Sequence, residues 1–181
     1  MSPPYSRPQA FTLLELIITI IVISIIAAVF ASSKGTPLSN RISAAGYKIR
    51  SDIRYAQSYA LASQRRTRIG FEFTGAPGAI SYSIYAEQTP NADDWVLIKD
   101  PLTRKDYRVD FSQGEYSLIG GIYSFFNQDS YDLVFDKEGA PWGYNQSDGS
   151  ETQLSSDGTV SVYTATFTVA RVKPNTGKVS G

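Results

Sequence analysis

The sequence predicts an α+β protein: a long N-terminal helix, transmembrane in its first half, packed on an antiparallel β-sheet or β-sandwich-like globular domain. Three observations predict it. An apolar run fills Phe11 to Ala31, apolar residues recur in steps of three and four from Leu38 to Ala60, and beyond Arg66 the pattern turns to alternation. The chain has 181 residues, 42% of them hydrophobic, which favours one domain with a sizeable core. Its 17 Lys+Arg balance 17 Asp+Glu, so any nucleic-acid or anionic-membrane binding would need a local patch. There is no cysteine and no histidine. Disulfides, thiolate nucleophiles, Cys/His zinc sites and Ser-His-Asp triads are thereby excluded.

Residues 1–10 are polar and Pro-rich, with Arg7 the only charge. The run Phe11 to Ala31 has only Thr12, Glu15, Thr19 and Ser24 as polar members. As a helix it spans roughly 30 Å, the thickness of a bilayer's hydrocarbon core. It carries no polar stripe, as a soluble core helix would. Two membrane readings compete. One is a cleavable secretory signal with Val29-Phe30-Ala31 before the cut. The other is a retained anchor, favoured because the run exceeds the usual apolar region of about 7–15 residues.

Glu15 is the informative residue. A carboxylate inside lipid costs on the order of a few kcal/mol, less near the interface. Either it stays hydrated at the membrane edge, or it has a cationic partner. Cleavage between Ala10 and Phe11 would create a free amine four residues away, on the same helix face. A neighbouring subunit's amine could serve equally well.

The stretch Ala10-Phe11-Thr12-Leu13-Leu14-Glu15, followed by a long apolar helix, resembles the class III signal of type IV pilins and type II secretion pseudopilins. The resemblance implies cleavage by a prepilin peptidase between Ala10 and Phe11 and N-methylation of Phe11. It implies that Glu15, the fifth mature residue, guides assembly and register by pairing with a neighbour's amine. The family usually has Gly where this chain has Ala10, a small residue in its place.

Lys34-Gly35-Thr36-Pro37 interrupts the helical pattern, with Pro37 suited to a first turn and Thr36 to an N-cap. The break reads as a kink in one spine helix, or as a short separate linker. Leu38, Ile42, Ala45, Ile49, Ile53, Ala56 and Ala60 mark an amphipathic helix to about Arg66. Arg41, Lys48, Arg50, Asp52 and Arg54 are read as its solvated side. The expected divisions are a leader at 1–10, a transmembrane half-helix at 11–31, an amphipathic half at 32–66 and a β domain at 67–181.

Strand patterns occupy residues 68–73, 80–85, 95–98, 107–111, 131–135 and 163–169, separated by turn signals such as Pro77-Gly78, Thr89-Pro90-Asn91, Gly120-Gly121 and Asn175-Thr176-Gly177. Residues 142–157 are polar and read as a long surface loop. The stretch from Asp52 to Arg66, running into a strand, is similar to the minor pseudopilin H and FimT group. So are Leu133 to Pro141 and the terminal Thr176-Gly177-Lys178-Val179. That resemblance implies a β-sandwich-like domain, although a single curved sheet would fit the same pattern.

Three further clusters carry residue types capable of chemistry. Asp148, Glu151 and Asp157 could offer oxygen ligands to calcium, but they lack EF-hand spacing and read as a solvated loop. Arg65, Arg66 and Arg68 form the densest basic cluster, either a helix C-terminus or, with Arg171, Lys173 and Lys178, a phosphate-binding patch. A neutral chain falls short of the basic footprint expected of a nucleic-acid binder. Asp93 and Asp94 flank Trp95 and need not converge. Twelve tyrosines and nine phenylalanines read as core and cross-strand pairs.

The expectation is therefore no enzyme, no metal and no cofactor. The resemblance implies a minor pseudopilin of type II secretion, held singly across the bacterial inner membrane with its globular part in the periplasm before entering the pseudopilus. Its implied partners are other major and minor pseudopilins, the prepilin peptidase and secreted cargo. A type IV pilus minor pilin, serving pilus assembly or DNA uptake, is the alternative; a periplasmic or secreted β protein with a cleaved signal is the second.

Overall fold

The computed structural model describes residues 12–32, 37–73, 78–90, 92–117, 119–127, 130–162 and 167–181. Ala10, Phe11, the break at Lys34 to Thr36, Pro77, Asn91 and the first part of the expected strand at 163–169 lie outside them. The chain is α+β and divides into two compact units, residues 1–36 and 37–181. The first contains helix α1, Leu13–Ser32.

The second unit opens with α2, Pro37–Ser63. Its predicted stripe is buried: Ala45, Ile49, Ile53, Ala56 and Ala60 are almost wholly covered. The helix stops three residues short of Arg66 because Gln64 turns to a positive φ of 54°. The Gln64 amide then donates to the Leu61 carbonyl at 2.9 Å, satisfying one of the last-turn acceptors.

Among the described residues eleven strands follow: β1 Thr67–Glu72, β2 Ser81–Glu87, β3 Trp95–Leu97, β4 Arg108–Asp110, β5 Ile122–Phe125, β6 Asp132–Phe135, β7 Pro141–Tyr144, β8 Glu151–Gln153, β9 Gly158–Val162, β10 Phe167–Val172 and β11 Val179–Ser180. They form two sheets, one ordered β3-β2-β1-β6-β7-β8 with β4 also on β2, the other β11-β10-β9-β5. Every strand pairing among the described residues is antiparallel. The sheets are joined where Ala79 bridges Ile122. Helix α2 packs on β1 and β6 of the first sheet and on β10 and β11 of the second. Both sheets and α2 feed one core, including Ile53, Phe71, Phe126, Leu133, Val160 and Val172.

Two expectations need correction. The span 142–157 is not simply a loop: it contains most of β7 and all of β8. Its polarity comes from β8 being a half-exposed edge strand, and from Gly143, where a Cβ would lie 2.0 Å from the Phe126 carbonyl oxygen. Asp52 is not on the solvated side of α2. It is 2% exposed, because it sits three residues after Ile49 and four before Ala56, on the buried face.

Candidate functional site

Helix α1 begins with a side-chain cap. The backbone N–H of Glu15 donates to Thr12 Oγ1 at 3.2 Å, and the N–H of Leu16 to the Thr12 carbonyl at 3.1 Å. Thr12 is thus the N-cap and Glu15 stands three residues on, in the first turn, where a carboxylate complements the helix dipole. Sequence reasoning missed the cap, although Thr-x-x-Glu was its signal. Thr19 Oγ1 donates to the Leu16 carbonyl at 2.8 Å and Ser24 Oγ to the Ile20 carbonyl at 2.7 Å. These hydroxyls are satisfied within the helix, as apolar surroundings require. The Glu15 carboxylate has no such partner among the described residues.

Every described side chain of α1, through Ala28, is exposed in the isolated chain, including Leu16 at 54% and Ile26 at 50%. Each large aliphatic side chain gains about 1.5–3 kcal/mol on leaving water. A helix apolar on all sides needs lipid or protein around it. Among the described residues no helix is long and apolar enough to cross a membrane. The apolar run of the sequence extends past Ala28, where the described side chains of α1 end.

The structure places the basic residues differently from one another. Arg66 pairs with Glu87 at 3.1 Å, Asp93 at 3.3 Å and Glu151, and its guanidinium lies over Trp95. Arg68 is held among the rings of Tyr85, Trp95 and Tyr144. Arg65 is exposed. Arg171 belongs to the second sheet, opposite Thr159 and Ser180. Lys173 pairs with Asp157 at 2.8 Å, and Lys178 is exposed beside β11. Arg66 is therefore committed to three carboxylates before any phosphate arrives.

The acidic candidates are equally dispersed. Glu151 faces Arg66 and Asp157 faces Lys173. Asp148 accepts the Ser150 N–H, which holds its carboxyl below the usual range. Asp93 meets Arg66, whereas Asp94 accepts the N–H groups of Gln88 and Thr89. Among the described residues no group of three or more carboxylates is placed to hold a metal ion.

Two buried acids stand out instead. Asp52 accepts from Tyr82 Oη at 2.6 Å, Tyr107 Oη at 2.9 Å and Lys48 Nζ at 2.9 Å. Burial and the Asp52 charge push both phenols above their ordinary value. Asp132, fully buried at the start of β6, accepts the Phe71 N–H at 2.9 Å and the Gln146 amide at 2.8 Å through Oδ1. Burial pushes its carboxyl up to about 6.

No curated protein and no solved structure matches the chain. Residues 5–31, a span that includes Ala10, Phe11 and Glu15, match the prokaryotic N-terminal methylation motif, which supports a type IV pilin-like protein.

Proposed function

We propose that the chain is a minor pseudopilin of a type II secretion system. It is made as a prepilin, cut between Ala10 and Phe11 by a prepilin peptidase, and methylated on Phe11. Its apolar N-terminal run crosses the inner membrane once, and the β domain stands in the periplasm. On assembly the same apolar surface passes from lipid to the helices of major and minor pseudopilins. The role is structural, with no catalysis and no cofactor, and the β domain contacts sister subunits or secreted cargo.

The observation that carries this reading is one carboxylate, Glu15, unpartnered among the described residues, in the first turn of a helix whose described side chains are all exposed and mostly apolar. Left alone deep in an apolar bundle, a carboxylate costs about 2.5–3.5 kcal/mol. That is roughly a hundredfold bias against a stagger that misses its cation. Glu15 opposite a neighbour's mature amine therefore sets the register between helices.

The methylation motif equally supports a type IV pilus minor pilin. DNA uptake is the weaker form of that reading, because Arg66 is already neutralised by Glu87, Asp93 and Glu151. An exported β protein with an ordinary cleaved signal would make Glu15 dispensable. The test is Glu15→Leu, assayed for membrane insertion and for co-purification with the filament. Insertion should persist while incorporation falls at least tenfold. Normal incorporation would overturn the assembly role.

A further inference from the structure

Strand register defines an outer face of the second sheet, on the side away from the core. Phe125 on β5, Thr159 on β9, Arg171 on β10 and Ser180 on β11 stand opposite one another in one row. Tyr123, Ser161 and Thr168 form the next row. Residues directly opposite across a ladder share a face, with Cβ atoms about 4.5–5.5 Å apart. Their strand neighbours Ile122, Val160, Val172 and Val179 point the other way, into the core. The seven side chains therefore make one continuous surface. Phe125 is 50% and Tyr123 43% exposed, and Thr168, Arg171 and Ser180 are exposed beside them.

The charges of this face are one-sided. No carboxylate stands among the seven residues, and Arg171 has no ion pair among the described residues. Just beyond the strand ends, Lys173 is paired with Asp157 at 2.8 Å, whereas Lys178 is exposed with no such partner among the described residues. The face and its rim thus present two unbalanced cations next to two half-exposed aromatic rings. Aromatic rings and arginine, with acids absent from the centre, make up the cores of protein–protein interfaces. The surrounding hydroxyls add hydrogen bonding that adapts to a partner. Two free cations fall short of the roughly six to ten phosphate contacts of a duplex-binding protein. A second copy docked face to face would set like charges against each other, which disfavours it. The complementary surface is acidic and apolar.

We propose that the outer face of the second sheet docks a sister subunit, a carboxylate of that subunit meeting Arg171 and an apolar side chain resting on Phe125 and Tyr123. This face deepens the assembly reading, on which it rests, by naming where the β domain meets its neighbour.

The test places a photoreactive residue in the full chain, Phe125→p-benzoylphenylalanine, in cells that carry the sister subunits. A separate probe, Ile21→p-benzoylphenylalanine, reports the packing of α1. Irradiation should join position 125 to one other pseudopilin, through a peptide that contains an aspartate or glutamate. Arg171→Glu should lower that adduct at least tenfold, and Arg171→Lys should retain it. Changing the partner's carboxylate to lysine should restore the adduct of Arg171→Glu, which no folding defect could do. Lys178→Glu, a second reversal at the rim, should lower the adduct about threefold. Several results overturn the proposal: no adduct from position 125, one unaffected by Arg171→Glu, one of twice the chain's own mass, or one removed by nuclease. An adduct from Ile21 without one from position 125 overturns the docking face alone. The reverse upholds the face and overturns the assembly role of α1.

Discussion

Asp52 ties α2 to β2 and to the residue preceding β4 through three donors, Tyr82, Tyr107 and Lys48. Replacing it with Ala leaves two phenol O–H donors inside the core without an acceptor and removes the ion pair of Lys48. Breaking a buried network in this way costs about 3–5 kcal/mol. Urea denaturation of Asp52→Ala should show that loss, and Asp52→Asn a smaller one. Asp132 predicts a pH dependence of the opposite origin. Its carboxyl moves from 3.8 to about 6 on folding. Between those values the folded state holds the proton more tightly than the unfolded chain, so stability falls as pH rises through that window. Two pK units correspond to about 3 kcal/mol. Stability measured from pH 4 to 7 should decline by that order, and the slope should flatten in Asp132→Asn.

At the scale of elements, α2 was legible because each buried position, Ala45 to Ala60, follows the last by three or four residues. The strands β1, β2, β3, β4 and β6 were legible from alternation or from apolar runs. The burial of Asp52 was not, because a charge points to solvent even where, as here, the helical spacing places it on the apolar face. Nor were β5, β7, β8 and β9, which are short, glycine-bearing or polar at an edge. The basic cluster shows a different limit. Arg66 and Arg68 are adjacent enough to suggest a patch, but their partners Glu87, Asp93, Glu151 and Asp132 arrive through strand pairing. Register across several strands cannot be read from local pattern. Gly143 follows the same logic, since its need for hydrogen is set by the distant Phe126 carbonyl. Gly143→Ala should destabilise the β domain by more than about 3 kcal/mol in thermal or urea unfolding, because backbone has to move.

For the whole molecule, the division at Thr36 separates two kinds of surface. The core runs from Ala45 to Val179 and lies entirely in the second unit. A fragment beginning at Pro37 should therefore unfold in one cooperative transition, with the midpoint of the β domain in the full chain. Non-cooperative melting would mean that the first 36 residues contribute to that core. Among the described residues the first unit has no comparable interior, and its exposed aliphatic helix acquires a role only with lipid or sister helices around it. Only the N-terminal part of the functional site was legible in the sequence, because Ala10, Phe11 and Glu15 form a local motif. Phe125, Thr159 and Arg171 become neighbours only through the pairing of β5, β9 and β10.

The central claim is that the N-terminus is a processed assembly device and not a discarded export signal. Intact mass of the membrane-extracted protein, expressed with and without a prepilin peptidase, tests it most directly. The account predicts a peptidase-dependent species that begins at Phe11 and carries one added methyl group. A soluble species beginning at Ser32, or a chain retaining residues 1–10 whether or not the peptidase is present, would contradict it.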